Sequence, residues 1–400
     1  MNRYNPFLAA FFVASCATDA GEAEPRVASY GDSAQNESMR SWADALDARI
    51  DDDWAGEEHR GFDFWIGEWG MHWRGQSAGE LNHQAEGSWT HQRVFPILGG
   101  KAIVELAWAR DNPEDPSQRG FSIRYLDTAK DRWVMAQNWP NQNNNGSAFL
   151  DQLIGGEYHG RMTFYSSQQR PDADGELQLE HRRYNFADIR PGESFRWDGS
   201  NTRDKGATWY TWYIVDAHRQ RDLDPFRAAG TIFPGVHNKS ICTAEPHGAY
   251  NILGGSWVGT ATRADGSVWD AKFDAGLLLD GCAVAGVIDA NSVKTFVTFG
   301  YADRLKRWIN YRLDDQPGTP HAYYVSPEPG EGAVFAEVEN LVIKDEFTLF
   351  ATQENLVIEN ALRRTVWKTI SDDELVFHDE MRASSDGEWE TITTYDLERR

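Results

Sequence analysis

Basic and aromatic side chains recur at alternating positions in the first half of the chain. The run SWTHQRVF, residues 88–95, sets Trp89, His91 and Arg93 on one face of an extended segment. The run RWVMAQNW, residues 132–139, sets Met135, Gln137 and Trp139 together and turns Asn138 the other way. HRRYNF supplies His181 and Arg183, and FRWD supplies Arg196, Trp197 and Asp198. With His91, Arg93 and Arg183 turned into a cavity, these runs build a cationic, aromatic-lined cup. Such a cup suits an apolar ligand bearing a carboxylate or another acceptor, held in one orientation by charge-assisted bonds from arginine. The candidate binding residues are therefore His91, Arg93, Gln137, Trp139, Arg183 and Trp197. The alternative is that the basic groups face solvent and pair with Asp and Glu. The second half keeps some of the basic character, with Lys272 at the place of His91 and Arg364 at that of Arg183.

The same cup admits a catalytic version, with His91 or His181 as general base and Arg93 stabilising an oxyanion, as an isomerase, cyclase or hydratase would need. Nothing in the spacing requires it, and no residue is assigned a catalytic role. HExxH, the P-loop and the dinucleotide fingerprint are all missing, and GGSWVG is not GxSxG. Asp127 and Asp131 read as turn residues, where acids are ordinary. His59 and His247 stand just before matching strands and read as capping groups. No metal and no cofactor is expected.

The elements that must position these residues are strands. From Phe62 onward, short runs rich in aromatic and β-branched residues are separated by Gly, Pro, Asp and Asn, the pattern of antiparallel all-β structure. Before them, Met39, Trp42, Leu46 and Ile50 mark one face of a short helix. Of the 400 residues, 17 are Trp, 14 Tyr and 20 Phe, which suits sheet cores or the lining of an apolar cavity. The formal net charge of -23 repels phosphate backbones, and no basic stripe offsets it, so nucleic acid is excluded as a partner.

The N-terminus begins MNRYNPFLAAFFVASC, an apolar run too short to span a bilayer that reads as an export signal over residues 1–15. Its ending VASC resembles a bacterial lipobox. That resemblance implies lipidation of Cys16, a membrane contact through the lipid anchor only, and an outer-membrane lipoprotein facing the periplasm, with plain secretion as the alternative. A polar tether follows, so that residues 16–57 hold tether and helix. Cys242 and Cys282 remain, and their pairing is left open.

The chain then repeats itself. FDFWIGEW, with Gly67 and Trp69, returns as YNILGGSW, with Gly255 and Trp257, 188 positions later. Phe121 to Trp133 returns as Phe296 to Trp308, RRYNFADI as RRTVWKTI, and DKGATW as DGEW, in unchanged order. A repeat of this length is a duplicated domain. The first copy is expected over 58–221, a junction rich in Pro and Gly over 222–246, and the second copy over 247–400. In each, glycine admits a tight backbone passage and the tryptophan stoppers the end of a closed sheet. Trp133 and Trp308 belong to the same framework. Alternation alone fits a sandwich as well as a barrel.

The ordered set FDFWIGEW, RW and DKGATW resembles an uncharacterised bacterial family of lipocalin-like (calycin-type) barrel domains. The resemblance implies two tandem antiparallel barrels of about ten strands and no agreed activity. GGSWVGTA is also similar to the start of nitrobindin-like haem barrels, whose iron ligand would fall nearest His378 here. The resulting expectation is an envelope-associated binding protein for a small amphipathic or anionic apolar ligand. The alternatives are a lipocalin-like enzyme and a ligand-free scaffold with a groove between its repeats.

Overall fold

The computed structural model describes residues 46–48, 60–77, 80–81, 88–109, 120–138, 151–171, 177–221, 246–279, 282–302, 307–315, 322–326, 329, 331–338 and 362–400. The export signal, Cys16, the tether, most of the expected helix and the junction lie outside them. Of that helix only Leu46–Ala48 is described, and Leu46 and Ala48 are buried.

The chain is all-β and closes into two barrels in tandem. The first comprises β1 (Gly67–Ser77), β2 (Glu80–Leu81), β3 (Ser88–Ile97), β4 (Ala102–Ala109), β5 (Gly120–Asp127), β6 (Arg132–Asn138), β7 (Asp151–Tyr158), β8 (Arg161–Pro171), β9 (Leu177–Arg190), β10 (Ser194–Thr202) and β11 (Tyr210–Arg221). Ten of these close the ring, because β1 pairs with both β3 and β11, while the two-residue β2 hangs on the end of β1. The second comprises β12 (Gly255–Arg263), β13 (Val268–Leu278), β14 (Ala283–Ala290), β15 (Val293–Ala302), β16 (Arg307–Asp314), β17 (Ala322–Ser326), β18 (Val334–Val338), β19 (Arg363–Ile370), β20 (Glu374–Met381) and β21 (Glu390–Arg399). It closes through β12 and β21. Closure leaves neither sheet with a long unpaired edge.

The glycines that open the two barrels are required by backbone conformation. Gly67 has φ 141° and Gly255 has φ 132°, a region closed to other residues. A Cβ on Gly255 would also come within 2.6 Å of the Arg399 guanidinium.

The described residues form three apolar cores. One lies inside the first barrel, around Phe62, Trp65, Trp69, Met71, Met135, Phe186 and Trp197. Another fills the second, around Tyr250, Trp257, Phe273, Phe299, Trp308 and Trp367. The third lies between the barrels. Phe95, Val104, Phe121, Ile123 and Val134 on the outside of the first meet Ala285, Val287, Phe296, Ile309 and Val325 on the outside of the second. Phe121 stacks on Phe296 with ring centroids 6.2 Å apart and planes at 13°. The space between the repeats is thus a packed apolar seam where a groove was envisaged, because the strands facing it are apolar on their outer face. Cys282, beside this seam, is disulfide-bonded; the other two cysteines, Cys16 and Cys242, lie outside the described residues.

Candidate functional site

The floor of each barrel is built the same way. A turn of 3-10 helix, Asp63–Trp65 in the first and Asn251–Leu253 in the second, carries the chain across the barrel end. Trp69 Nε1 donates to the Trp65 carbonyl at 2.6 Å, and Trp257 Nε1 donates to the Leu253 carbonyl at 2.9 Å. Phe62 meets Trp133 edge-on at 5.0 Å, as Tyr250 meets Trp308 at 4.6 Å. Arginines of the closing strands cover the outer sides of the indoles, Arg219 at 5.9 Å from Trp69 and Arg399 at 4.1 Å from Trp257. All four tryptophans of the framework, Trp69, Trp133, Trp257 and Trp308, are buried.

Above this shared floor the two lumens differ. Cross-strand partners share a face of the sheet, so register identifies what points inward. In the first barrel, Trp69 lies across from Gln92, Val94 across from Glu105, Glu105 across from Ser122, and Ile103 across from Arg124. Gln92, Glu105, Ser122 and Arg124 therefore enter the lumen, and all four are fully buried. Ser122 Oγ donates to Glu105 Oε2 at 2.5 Å. Arg124 donates to Ser122 Oγ at 2.8 Å and to Glu105 Oε2 at 2.9 Å. The guanidinium lies 4.0 Å over the Trp65 ring. Burial pulls the Arg124 pKa below its ordinary value, and the Glu105 carboxylate opposes that pull.

The polar atoms around this ion pair are incompletely matched. Among the described residues no partner is found for either amide atom of Gln92, for Glu105 Oε1, for Arg124 Nε, or for the indole N–H of Trp65 and of Trp197. Buried polar atoms in folded proteins are nearly always satisfied, so these orphans are a feature of the first lumen that its own packing leaves unexplained.

The second barrel answers each of these residues with an apolar one. By the same register, Phe273 stands for Gln92, Gly286 for Glu105, Val297 for Ser122 and Phe299 for Arg124. A Cβ on Gly286 would come within 2.7 Å of the Phe273 ring, so glycine there makes room for the phenyl. Phe299 stacks on Tyr250 at 5.3 Å, where Arg124 covers Trp65. The polar residues of the second lumen lie elsewhere; the indole N–H of Trp308 and of Trp367 lacks a partner among the described residues, as in the first barrel, but the charged groups are matched. Arg312 donates to Asn310 at 2.8 Å, Asp379 at 3.1 Å and Thr365 at 2.8 Å. Burial is the largest single influence and works against the Arg312 charge, but Asp379, Tyr324 and Tyr395 together outweigh it and hold the pKa above the usual value.

Of the residues expected from sequence to line a cup, Gln137 and Trp197 are lumenal, Gln137 lying across from Ser122. Trp139 lies outside the described residues. His91, Arg93 and Arg183 point away from the lumen. Their strands put Thr90, Gln92, Val94, Arg182 and Tyr184 inward, so the odd-numbered neighbours must face out. Arg93 Nε bonds Glu68 at 2.8 Å, with His91 3.8 Å from the same carboxylate. Arg183 lies 4.2 Å over Trp209, and Arg364 repeats the contact on Trp389 at 4.2 Å. His181 faces out to Ser167 at 2.7 Å, which removes both proposed histidine bases from the lumen. His378 also faces out, bonded to Thr394 at 3.1 Å, because Phe377 beside it takes the inward place; a haem ligand from that position is contradicted. His247 packs edge-on against Tyr301 at 5.1 Å, and His59 is outside the described residues. Among the described residues no three His, Cys, Asp or Glu side chains gather as a metal site.

Comparison with known proteins adds no activity. No family model matches the chain, and no curated protein does. The chain is similar to the crystal structure of a protein of unknown function of the DUF3598 family from Nostoc punctiforme, at 9% identity and a TM-score of 0.23, covering 86% of this chain and 100% of that one. It is also similar to a tryptophan-to-alanine mutant of transferrin binding protein B from Haemophilus parasuis, at 7% identity, TM-score 0.15 and coverage of 83% and 75%. A third is the dehydratase domain from the terminal module of the rifamycin polyketide synthase, at 11% identity, TM-score 0.13 and coverage of 72% and 96%. Similarities this low carry no argument about mechanism. The strand topology itself gives the assignment: two tandem ten-stranded antiparallel barrels, as expected of the lipocalin-like family of unassigned activity that the sequence resembles.

Proposed function

We propose that the protein binds a small amphipathic molecule in the lumen of its first barrel, while the second barrel is a structural partner. The observation that carries this reading is the contrast between the copies. A barrel of this design closes with Phe273, Gly286, Val297 and Phe299 inside, so the fold does not demand Gln92, Glu105, Ser122 and Arg124. Burying an ion pair and an unmatched amide costs stability, and such a cost is retained where it serves binding. The aromatic walls supply apolar area, and the orphaned polar atoms fix orientation. A ligand held through a net positive charge loses its support, because Arg93 and Arg183 are outside, Arg124 is already neutralised by Glu105, and the inward Arg182 lies 3.5 Å from the Glu180 carboxylate. An envelope location remains part of the proposal on the strength of the N-terminal run and Cys16.

Titration of the full chain with the neutral naphthalene dye Prodan tests this reading. One dye per chain is expected, with energy transfer from tryptophan. Binding should vanish in the double variant Gln92→Phe/Ala107→Ile, which imports the residues of the second barrel at these two facing positions. Binding that persists in the double variant, or no binding by the wild type, would contradict the proposal.

A further inference from the structure

We infer that the ligand of the first lumen presents a secondary-amide edge, an N–H beside a C=O as in a lactam or an oxo-heterocycle, and that Gln92 reads that edge. This rests on the lumen reading above and names the ligand class for it. The Gln92 carboxamide is fully buried, enters the lumen across from Trp69 and Ala107, and has neither Oε1 nor Nε2 bonded among the described residues. A carboxamide offers one acceptor and one donor side by side in a plane. The group that satisfies both at once is another amide edge, its N–H on Oε1 and its C=O on Nε2.

Three further features narrow the class. The charge of the site is balanced, since Arg124 lies 2.9 Å from Glu105 and the inward Arg182 lies 3.5 Å from Glu180, so a carboxylate or an ammonium would enter without a counter-ion. The remaining orphans are four donors, Arg124 Nε and the indole N–H of Trp65, Trp197 and Trp212, against one acceptor, Glu105 Oε1, so the ligand carries more acceptors than donors. The walls are flat rings: Trp197 stacks on Phe186 at 5.3 Å, and Trp65 lies 5.9 Å from Trp197. Planar, neutral and carbonyl-bearing describes a cyclic amide fused to or part of an aromatic ring. Phe273 at the matching place leaves the second barrel without such a reader.

The test compares quinolin-2(1H)-one with coumarin, in which the ring N–H is replaced by oxygen, by calorimetric titration of the full chain. A site built to bond an N–H discriminates against the analogue that lacks it, because Oε1 then stays buried and unpaired. The lactam is expected to bind about 10-fold tighter or more. Gln92→Met, or Gln92→Leu if the first fails to fold, should abolish the preference, because the lactam then loses two bonds and coumarin only the one that its carbonyl accepts from Nε2. Equal affinities in the wild type, a comparison that needs no variant, would overturn the inference and leave the lumen reading standing. A preference that survives removal of Gln92 would do the same. No binding of either probe, with Prodan also failing to bind, would overturn both.

Discussion

Gln92 and Phe273 hold the same position in two barrels of one chain: each lies directly across from the framework tryptophan, Trp69 for one and Trp257 for the other. One fold thus tolerates an amide or a phenyl at that place. Under the proposed function, the amide is there for a ligand and the phenyl for packing.

Replacing Gln92 with methionine should therefore stabilise the unliganded protein. An unmatched buried amide costs about 1–3 kcal/mol, and methionine fills the same length without it. A gain of about 1 kcal/mol in urea denaturation is expected, together with loss of the preference for the lactam over coumarin. A loss of stability would show that Gln92 is already satisfied within the fold.

The ion pair should behave asymmetrically. Arg124→Met leaves Glu105 buried and uncompensated, and is expected to cost about 3–5 kcal/mol. The triple variant Glu105→Gly/Ser122→Val/Arg124→Phe, which transplants the second barrel's solution, should recover most of that loss. Denaturation of the single and triple variants side by side checks it. Equal losses would mean that the charges are structurally required.

The seam between the barrels predicts joint unfolding. Phe121 and Phe296 stack across it within one apolar core. Phe121→Ala should cost about 3–5 kcal/mol and lower the transition of the whole chain. A calorimetric trace in which only the first barrel melts earlier would contradict a shared core.

A pH dependence follows from Asp314 in the second barrel. Burial raises its pKa above 3.8, and the bond from Thr295 at 2.5 Å and the Arg312 charge only partly offset this. The folded state then holds the proton more tightly than the unfolded state. Asp314's contribution is greatest below pH 3.8, falls as pH climbs to the raised folded value, and stays low above it. Asp314→Asn should therefore become more stabilising, relative to wild type, between about pH 3 and about pH 7. Urea titrations at both ends measure it, and a flat or reversed difference would rule the assignment out.

Much of the architecture was legible in the sequence because closure depends on local residues. Gly67 and Gly255 need their backbone conformation, Trp69 and Trp257 need a floor to fill, and the ordered repeat ties the two sets together. The binding residues were harder, because alternation tells which residues share a face but not which face is inside. On β3 and β9 the basic positions at His91, Arg93 and Arg183 drew the assignment one residue out of phase, and a one-residue shift inverts a strand. Two signals pointed the other way. Glu105 and Arg124 are charges inside strands otherwise apolar on both faces, GKAIVELAW and GFSIRY. Aligning the copies through Phe121 to Trp133 also sets Arg124 against Phe299, a swap that a solvent-facing position would not need. The apolar seam was illegible for a related reason: strands buried on both sides lose their alternation.

Native mass spectrometry of the full chain, isolated undenatured from its own cells, tests the central claim most directly. The account predicts one small molecule per chain, carried by the wild type and missing from Gln92→Phe/Ala107→Ile. A bare mass for both proteins, or the same adduct on both, would contradict a ligand site in the first lumen.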